Sequence, residues 1–206
     1  MKELLFLGDS ITDCYHSFDK ENLGNGYVRI IAEALKSHVE SVSVKNMGRD
    51  GFTLPALNRL WNIYHKEMDP SIVTILIGIN DVSVMKTTGQ NTVPAMQTFQ
   101  KDLEVLIKQI QTHTACPIIL MEPFIFPHPA EYAAWESDVL KINEIIRQIT
   151  DAHHLTFLPL WNKLKSAAKK NGYGEITLDG IHLTQQGHKI IADTWLDWYF
   201  HTFKPI

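Results

Sequence analysis

Leu4-Leu5-Phe6-Leu7-Gly8-Asp9-Ser10-Ile11-Thr12-Asp13 is the stretch that decides the fold. Four apolar residues run without alternation into a glycine, an acid and a serine. An uninterrupted apolar run marks a strand covered on both faces, as in a parallel sheet. In open α/β sheets, ligands bind just beyond the carboxyl ends of such strands. A serine there is placed for chemistry, and Gly8 before it permits a tight turn. The ordinary alternative is a serine that merely caps the following helix, so the rest of the chain must decide.

Outward from this stretch the pattern repeats. An amphipathic helix is expected from Gly26 to His38, with Val28, Ile31, Ala32 and Leu35 at helical spacing. A short strand, Val42 to Asn46, ends at Met47-Gly48-Arg49-Asp50-Gly51. A helix follows from about Pro55 to Lys66, with proline in its first turn. Ile72 to Ile77 is the clearest buried strand, β-branched and nearly all apolar, and it stops at Gly78-Ile79-Asn80-Asp81. A polar loop through Gly89 leads to a helix from Thr92 to Thr112. Pro117 to Met121 reads as a fourth strand, and Glu122 to Pro129 as a proline-stiffened loop. Glu131 to Ala152 is expected to be helical, Thr156 to Leu158 a fifth strand, and Trp161 to Lys170 another helix. Thr184 can cap a last helix running to Phe200.

Five strands alternating with helices imply a three-layer α/β/α domain spanning residues 1–206, with helices on both faces of a parallel sheet. Right-handed crossovers make the flavodoxin-like order 2-1-3-4-5 the natural choice. That order brings Gly48, Ser10 and Asn80 to the ends of adjacent strands, with the serine in the middle.

A serine hydroxyl needs a base within reach, itself oriented by a third group. Asp179 and His182, three residues apart in a glycine-bearing loop, can supply both. The Asp-x-x-His spacing also occurs at Asp13–His16 and Asp151–His154, which read as surface polar pairs, and His188 reads as structural. Acyl transfer further needs donors aimed at the developing oxyanion. Ser10 N–H, Gly48 N–H and the Asn80 amide are the candidates. A turn glycine and an Asx turn are the plain alternatives for the last two.

Composition narrows the field. A net charge of −4 gives no electrostatic reason to expect nucleic acid or an anionic membrane as partner. No apolar run approaches the ~20 residues of a membrane span. No signal peptide is visible, because Leu4 to Leu7 is too short for an apolar signal core. The two cysteines, Cys14 and Cys116, lack metal or redox spacing and suit a reduced, cytoplasmic protein. No histidine–carboxylate grouping has metal spacing, so neither metal nor cofactor is expected. Homo-oligomerisation is left open.

Gly8-Asp9-Ser10-Ile11, Gly48, Gly78-Ile79-Asn80-Asp81 and Asp179-Gly180-Ile181-His182 together resemble the four sequence blocks of the SGNH, or GDSL-type, hydrolase family. The resemblance spans almost the whole chain. It implies Ser10 as nucleophile, His182 as base and Asp179 as its orienting acid, with Ser10 N–H, Gly48 N–H and the Asn80 side chain as oxyanion hole. Within the family, Ile11-Thr12-Asp13-Cys14, Gly26-Tyr27-Val28 and Pro123-Phe124 look most like intracellular acetylxylan esterases. This suggests a small-molecule or oligosaccharide acetyl ester as substrate. Trp61, Phe124, Phe126, Tyr132 and Trp135 could offer an aromatic platform for a sugar ring, or pack in the core. Two other readings stand beside this one. A lysophospholipase or thioesterase would act on longer acyl chains. A flavodoxin-like binding protein would need a phosphate loop, and Gly24-Asn25-Gly26 and Gly172-Tyr173-Gly174 both lack the third glycine.

Overall fold

A computed structural model describes residues 2–37 and 42–203. Five parallel strands form one sheet: β1 (Lys2–Gly8), β2 (Val42–Gly48), β3 (Ile72–Leu76), β4 (Ile118–Met121) and β5 (Thr156–Leu158). Their order is β2-β1-β3-β4-β5, as the strand–helix alternation implies. β1 is an interior strand, flanked by β2 and β3, and Leu4 to Leu7 are wholly buried. Its register pairs Gly8 with Gly48 on one side and with Leu76 on the other. The carboxyl ends of three strands therefore finish level, and Ser10 follows two residues beyond that line.

The helices are α1 (Ser10–Asp13), α2 (Tyr27–Lys36), α3 (Leu54–Tyr64), α4 (Ile79–Thr88), α5 (Thr92–His113), α6 (Glu136–Ala152), α7 (Trp161–Asn171) and α8 (Gln185–Thr202). α2, α7 and α8 pack together, and α3, α4, α5 and α6 form a second group. Phe6 of β1 packs on Tyr27 of α2 and Trp195 of α8. The Trp195 indole N–H donates to Thr74 Oγ1 of β3 at 3.0 Å, satisfying a polar pair inside the core. That bond fixes the last helix across the middle of the sheet. Thr184 caps it, accepting from Gly187 N–H. Among the described residues no helix is long and apolar enough to cross a membrane.

Two segments differ from expectation. The stretch expected as a polar loop up to Gly89 is helix α4. Its Ile79, Val82 and Met85 fall three residues apart, so one narrow face is buried while threonines and charges cover the rest. Gly89, at φ +67°, ends it in the left-handed region. The helix expected from Glu131 begins five residues later, after a 3-10 stretch Ala130–Trp135. His38, the expected end of the first long helix, lies outside the described residues.

Candidate active site

Ser10 opens α1, and Asp9 is its N-cap, accepting from Ile11 N–H at 3.0 Å. Gly8 is needed for space rather than for a left-handed turn. A Cβ there would lie 2.3 Å from Thr12 Oγ1 and 2.5 Å from Leu76 O. The short helix is thus pressed onto the strand ends, and it is held by Thr12 Oγ1 against Tyr27 Oη at 2.9 Å.

Asp179 and His182 come from the other end of the chain. Ser10 Oγ lies 3.0 Å from His182 Nε2, and His182 Nδ1 lies 2.6 Å from Asp179 Oδ2. An ionised carboxylate only accepts, so Nδ1 carries the ring proton and the Nε2 lone pair faces the serine hydroxyl. Asp179 Oδ1 also accepts from Ile181 N–H at 2.9 Å and His182 N–H at 2.7 Å. Burial alone would raise the Asp179 carboxyl. The His182 hydrogen bond and the two backbone donors outweigh it and hold the group below the usual carboxylate range. The carboxylate therefore stays ionised to orient the imidazole.

The turn that carries this pair is braced from two sides. Thr177 Oγ1 donates to His182 O and accepts from Gly180 N–H, both at 2.8 Å. Gly180, at φ +95°, presses against the Glu122–Pro129 loop, where a Cβ would sit 2.3 Å from His128 O. Phe126 N–H donates to Gly180 O at 2.9 Å. That loop is thus the backing of the acid–base turn. Glu122 at its root is buried and accepts from Leu160 and Trp161 N–H, capping α7. Of the five aromatic candidates, Trp61, Phe124 and Phe126 are core residues. Tyr132 and Trp135 are only partly buried, and the Tyr132 hydroxyl is raised by burial and by the nearby Asp179 charge.

The expected oxyanion donors fare unequally. No described backbone acceptor takes Ser10 N–H. Asn80 lies in the first turn of α4 and donates one amide hydrogen to Phe52 O at 3.0 Å, leaving its second free to serve. Gly48 requires a correction. Its N–H donates to the buried Asn46 Oδ1 at 2.9 Å and is not free. Gly48 is small because α1 lies on it: a Cβ would be 2.3 Å from Asp13 N. Asn46 also donates to Thr12 O at 2.7 Å and Leu23 O at 2.9 Å, joining β2 to the serine helix. Three residues further on, Gly51 stands at φ +70° with open space where a Cβ would be, and no hydrogen-bond acceptor for its N–H occurs among the described residues. The signal for it was a second glycine in Gly48-Arg49-Asp50-Gly51, at the centre of a turn closed by Phe52 N–H to Arg49 O at 3.2 Å.

Asp13–His16 is the other correction. Far from being a surface pair, His16 is buried and bonded to Asp13 Oδ1 at 2.7 Å. Asp151 and His154 are exposed, and His188 is buried. His188 Nδ1 accepts from Tyr27 N–H, so Nε2–H faces Cys14 Sγ at 3.3 Å. Burial and the charge of His182 push His188 down to about 4, and burial pushes the Cys14 thiol up to about 12.

A hydroxyl, an imidazole and a carboxylate in series at the carboxyl rim of a parallel sheet is the arrangement of the serine hydrolases. The chain belongs to the GDSL-like Lipase/Acylhydrolase family, whose model matches residues 6–190, and it is a carboxylic ester hydrolase. It is 26% identical to an acetylxylan esterase of Geobacillus stearothermophilus over 95% of this chain and 92% of that protein. It is 23% identical to an isoamyl acetate-hydrolyzing esterase of Saccharomyces cerevisiae, covering 99% and 88%. Among solved structures, a GDSL-like lipase from Parabacteroides merdae superposes with a TM-score of 0.87 at 26% identity, covering 95% and 94%. Axe2, an acetylxylan esterase from Geobacillus stearothermophilus, superposes with a TM-score of 0.83 at 25% identity, covering 95% and 93%.

Proposed function

We propose that the protein removes short acyl groups, acetyl above all, from small or oligosaccharide esters through an acyl-enzyme intermediate. The observation that carries this reading is the unbroken series Ser10 Oγ–His182 Nε2–Asp179, at 3.0 and 2.6 Å. In this reading Ser10 attacks the ester carbonyl while His182 takes its proton. Asp179 stabilises the imidazolium, and His182 then protonates the leaving alcohol. Water activated by the same imidazole releases the acid and restores Ser10. The tetrahedral oxyanion is received by Ser10 N–H, the free hydrogen of Asn80 and, in place of Gly48, the N–H of Gly51. Each such donor is worth roughly 3–4 kcal/mol of transition-state stabilisation.

Acetyl preference is supported by the two curated relatives, whose names specify acetyl esters. A sugar leaving group is supported by the acetylxylan esterases and by Tyr132 and Trp135, whose rings lie 4.7 Å apart, tilted by 48°, beside the acid–base turn. Aromatic faces with a polar edge suit a pyranose ring lying at an open site. The test is hydrolysis of p-nitrophenyl esters of increasing chain length, followed by acetylated xylo-oligosaccharides. Ser10→Ala should lose activity at unchanged fold, and the rate should fall steeply beyond propionyl. Full activity of folded Ser10→Ala refutes the nucleophile. A rate that rises with chain length refutes the acetyl reading in favour of a lysophospholipase or thioesterase.

A further inference from the structure

Beside the serine lies a second carboxylate–imidazole pair, a buried His16 and a partly buried Asp13, that the hydrolytic series does not use. Asp13, the last residue of α1, accepts from both His16 N–H (3.2 Å) and His16 Nδ1 (2.7 Å) through Oδ1. Its Oδ2 accepts from Asp50 N–H at 2.9 Å. His16 Nε2 lies 2.5 Å from Arg49 Nη1. The proton inventory admits one arrangement: the guanidinium only donates, the carboxylate only accepts, and the neutral imidazole relays between them with its proton on Nδ1. Arg49 N–H in turn donates to Gly8 O, and Arg49 Nη1 to Gly48 O, both at 3.1 Å. The turn Arg49–Phe52 is therefore fastened at its first residue by His16 and at its second by Asp13, and its third residue is Gly51.

We propose that Asp13 and His16 are positioning residues for ester hydrolysis: they lock the Arg49–Phe52 turn to the helix that carries Ser10 and so aim the Gly51 N–H at the oxyanion. The proposal rests on the reading of Gly51 as an oxyanion donor. It explains why His16 is buried in a polar loop, and why a charged Arg49-Asp50 pair sits next to the reacting centre. A donor of this kind acts by preorganisation, so a misplacement of an ångström loses most of its effect in the transition state while leaving ground-state binding alone.

The test compares His16→Ala, His16→Gln and Asp13→Asn with the wild type in kcat and KM for p-nitrophenyl acetate, in melting temperature, and in affinity for a simple boronic acid that forms a tetrahedral serine adduct. His16→Ala and Asp13→Asn should lower kcat at least tenfold with KM within about twofold, and weaken boronate binding in step. His16→Gln, whose amide can donate to Asp13 and accept from Arg49, should recover most of the rate. Folded His16→Ala with wild-type kcat overturns the proposal. So does a loss that follows melting temperature alone, with Gln no better than Ala. Ser10→Ala, assayed alongside, separates the two failures: if it is inert while His16→Ala is fully active, the esterase reading stands and only the positioning role falls.

Discussion

Replacing Asp9 by asparagine should make the protein more stable in mild base and much less so in mild acid. Asp9 is 1% exposed, caps α1 through Oδ1, and leaves Oδ2 buried without a partner among the described residues. Burial raises its carboxyl from 3.8 to about 7, only partly offset by the Ile11 N–H. Between these values the folded chain holds a proton that the unfolded chain has lost. Stability therefore falls as pH rises from about 4 to about 7 and is level above that. From about pH 5.5 to beyond 7 the loss is 1.5 pKa steps, or about 2 kcal/mol at 1.36 kcal/mol each. Asparagine keeps the capping oxygen and removes the titration. For a chain of this size the melting-temperature difference between variant and wild type should grow by roughly 4–8 °C between about pH 5.5 and 8. Asp81, itself raised by burial to about 7, repels the Asp9 carboxylate, so asparagine removes that repulsion as well, whereas His188 titrates in both proteins and cancels in the difference. Differential scanning calorimetry at the two pH values decides it. Parallel melting curves, with the same offset at both, would show that Asp9 is ionised at little cost and refute the reasoning.

Gly48→Ala should cost about 1–3 kcal/mol or more, because its Cβ meets backbone of α1 and must displace the serine helix. Gly51→Ala has room and retains its N–H, so it should lose only about 1–2 kcal/mol for the left-handed backbone and keep most of its activity. Urea denaturation with esterase assays orders the two, and the reverse order would undo the packing account of Gly48. Cys14 should be inert to a disulfide reagent at about pH 8 in the native state, since burial pushes its thiol to about 12. Prompt labelling of a Cys116→Ala variant would contradict this.

The sheet is legible because a strand buried on both faces writes itself as a run with little or no polar alternation: Leu4–Leu7 is wholly apolar, and Ile72–Leu76 is broken only by Thr74, whose hydroxyl is satisfied by Trp195. The turn Asp179–His182 was legible because serine chemistry demands a base and an orienting acid, and that requirement does not depend on packing. What could not be read was which backbone N–H is free. Gly48 and Gly51 are alike in the sequence, and only the position of the Asn46 side chain shows that the first is occupied. The burial of His16 is hidden in the sequence for a related reason. Its partner Arg49 is distant along the chain, and a polar loop gives no sign that it will be folded under a neighbour. Helix α4 is not legible because three apolar residues among polar ones make a weak period, which becomes a helix only when a surface is there to receive it.

The two halves of the hydrolytic series reach the rim from opposite ends of the chain, and helix α8, which follows the His182 turn, is tied to the middle of the sheet by the Trp195–Thr74 bond. Cutting the chain at the exposed turn beside Gly89 leaves Ser10, Gly51 and Asn80 on one fragment and Asp179 and His182 on the other. Neither piece holds a complete set of reacting groups, so turnover of a chromogenic ester becomes a readout of fragment complementation, silent until the pieces reunite.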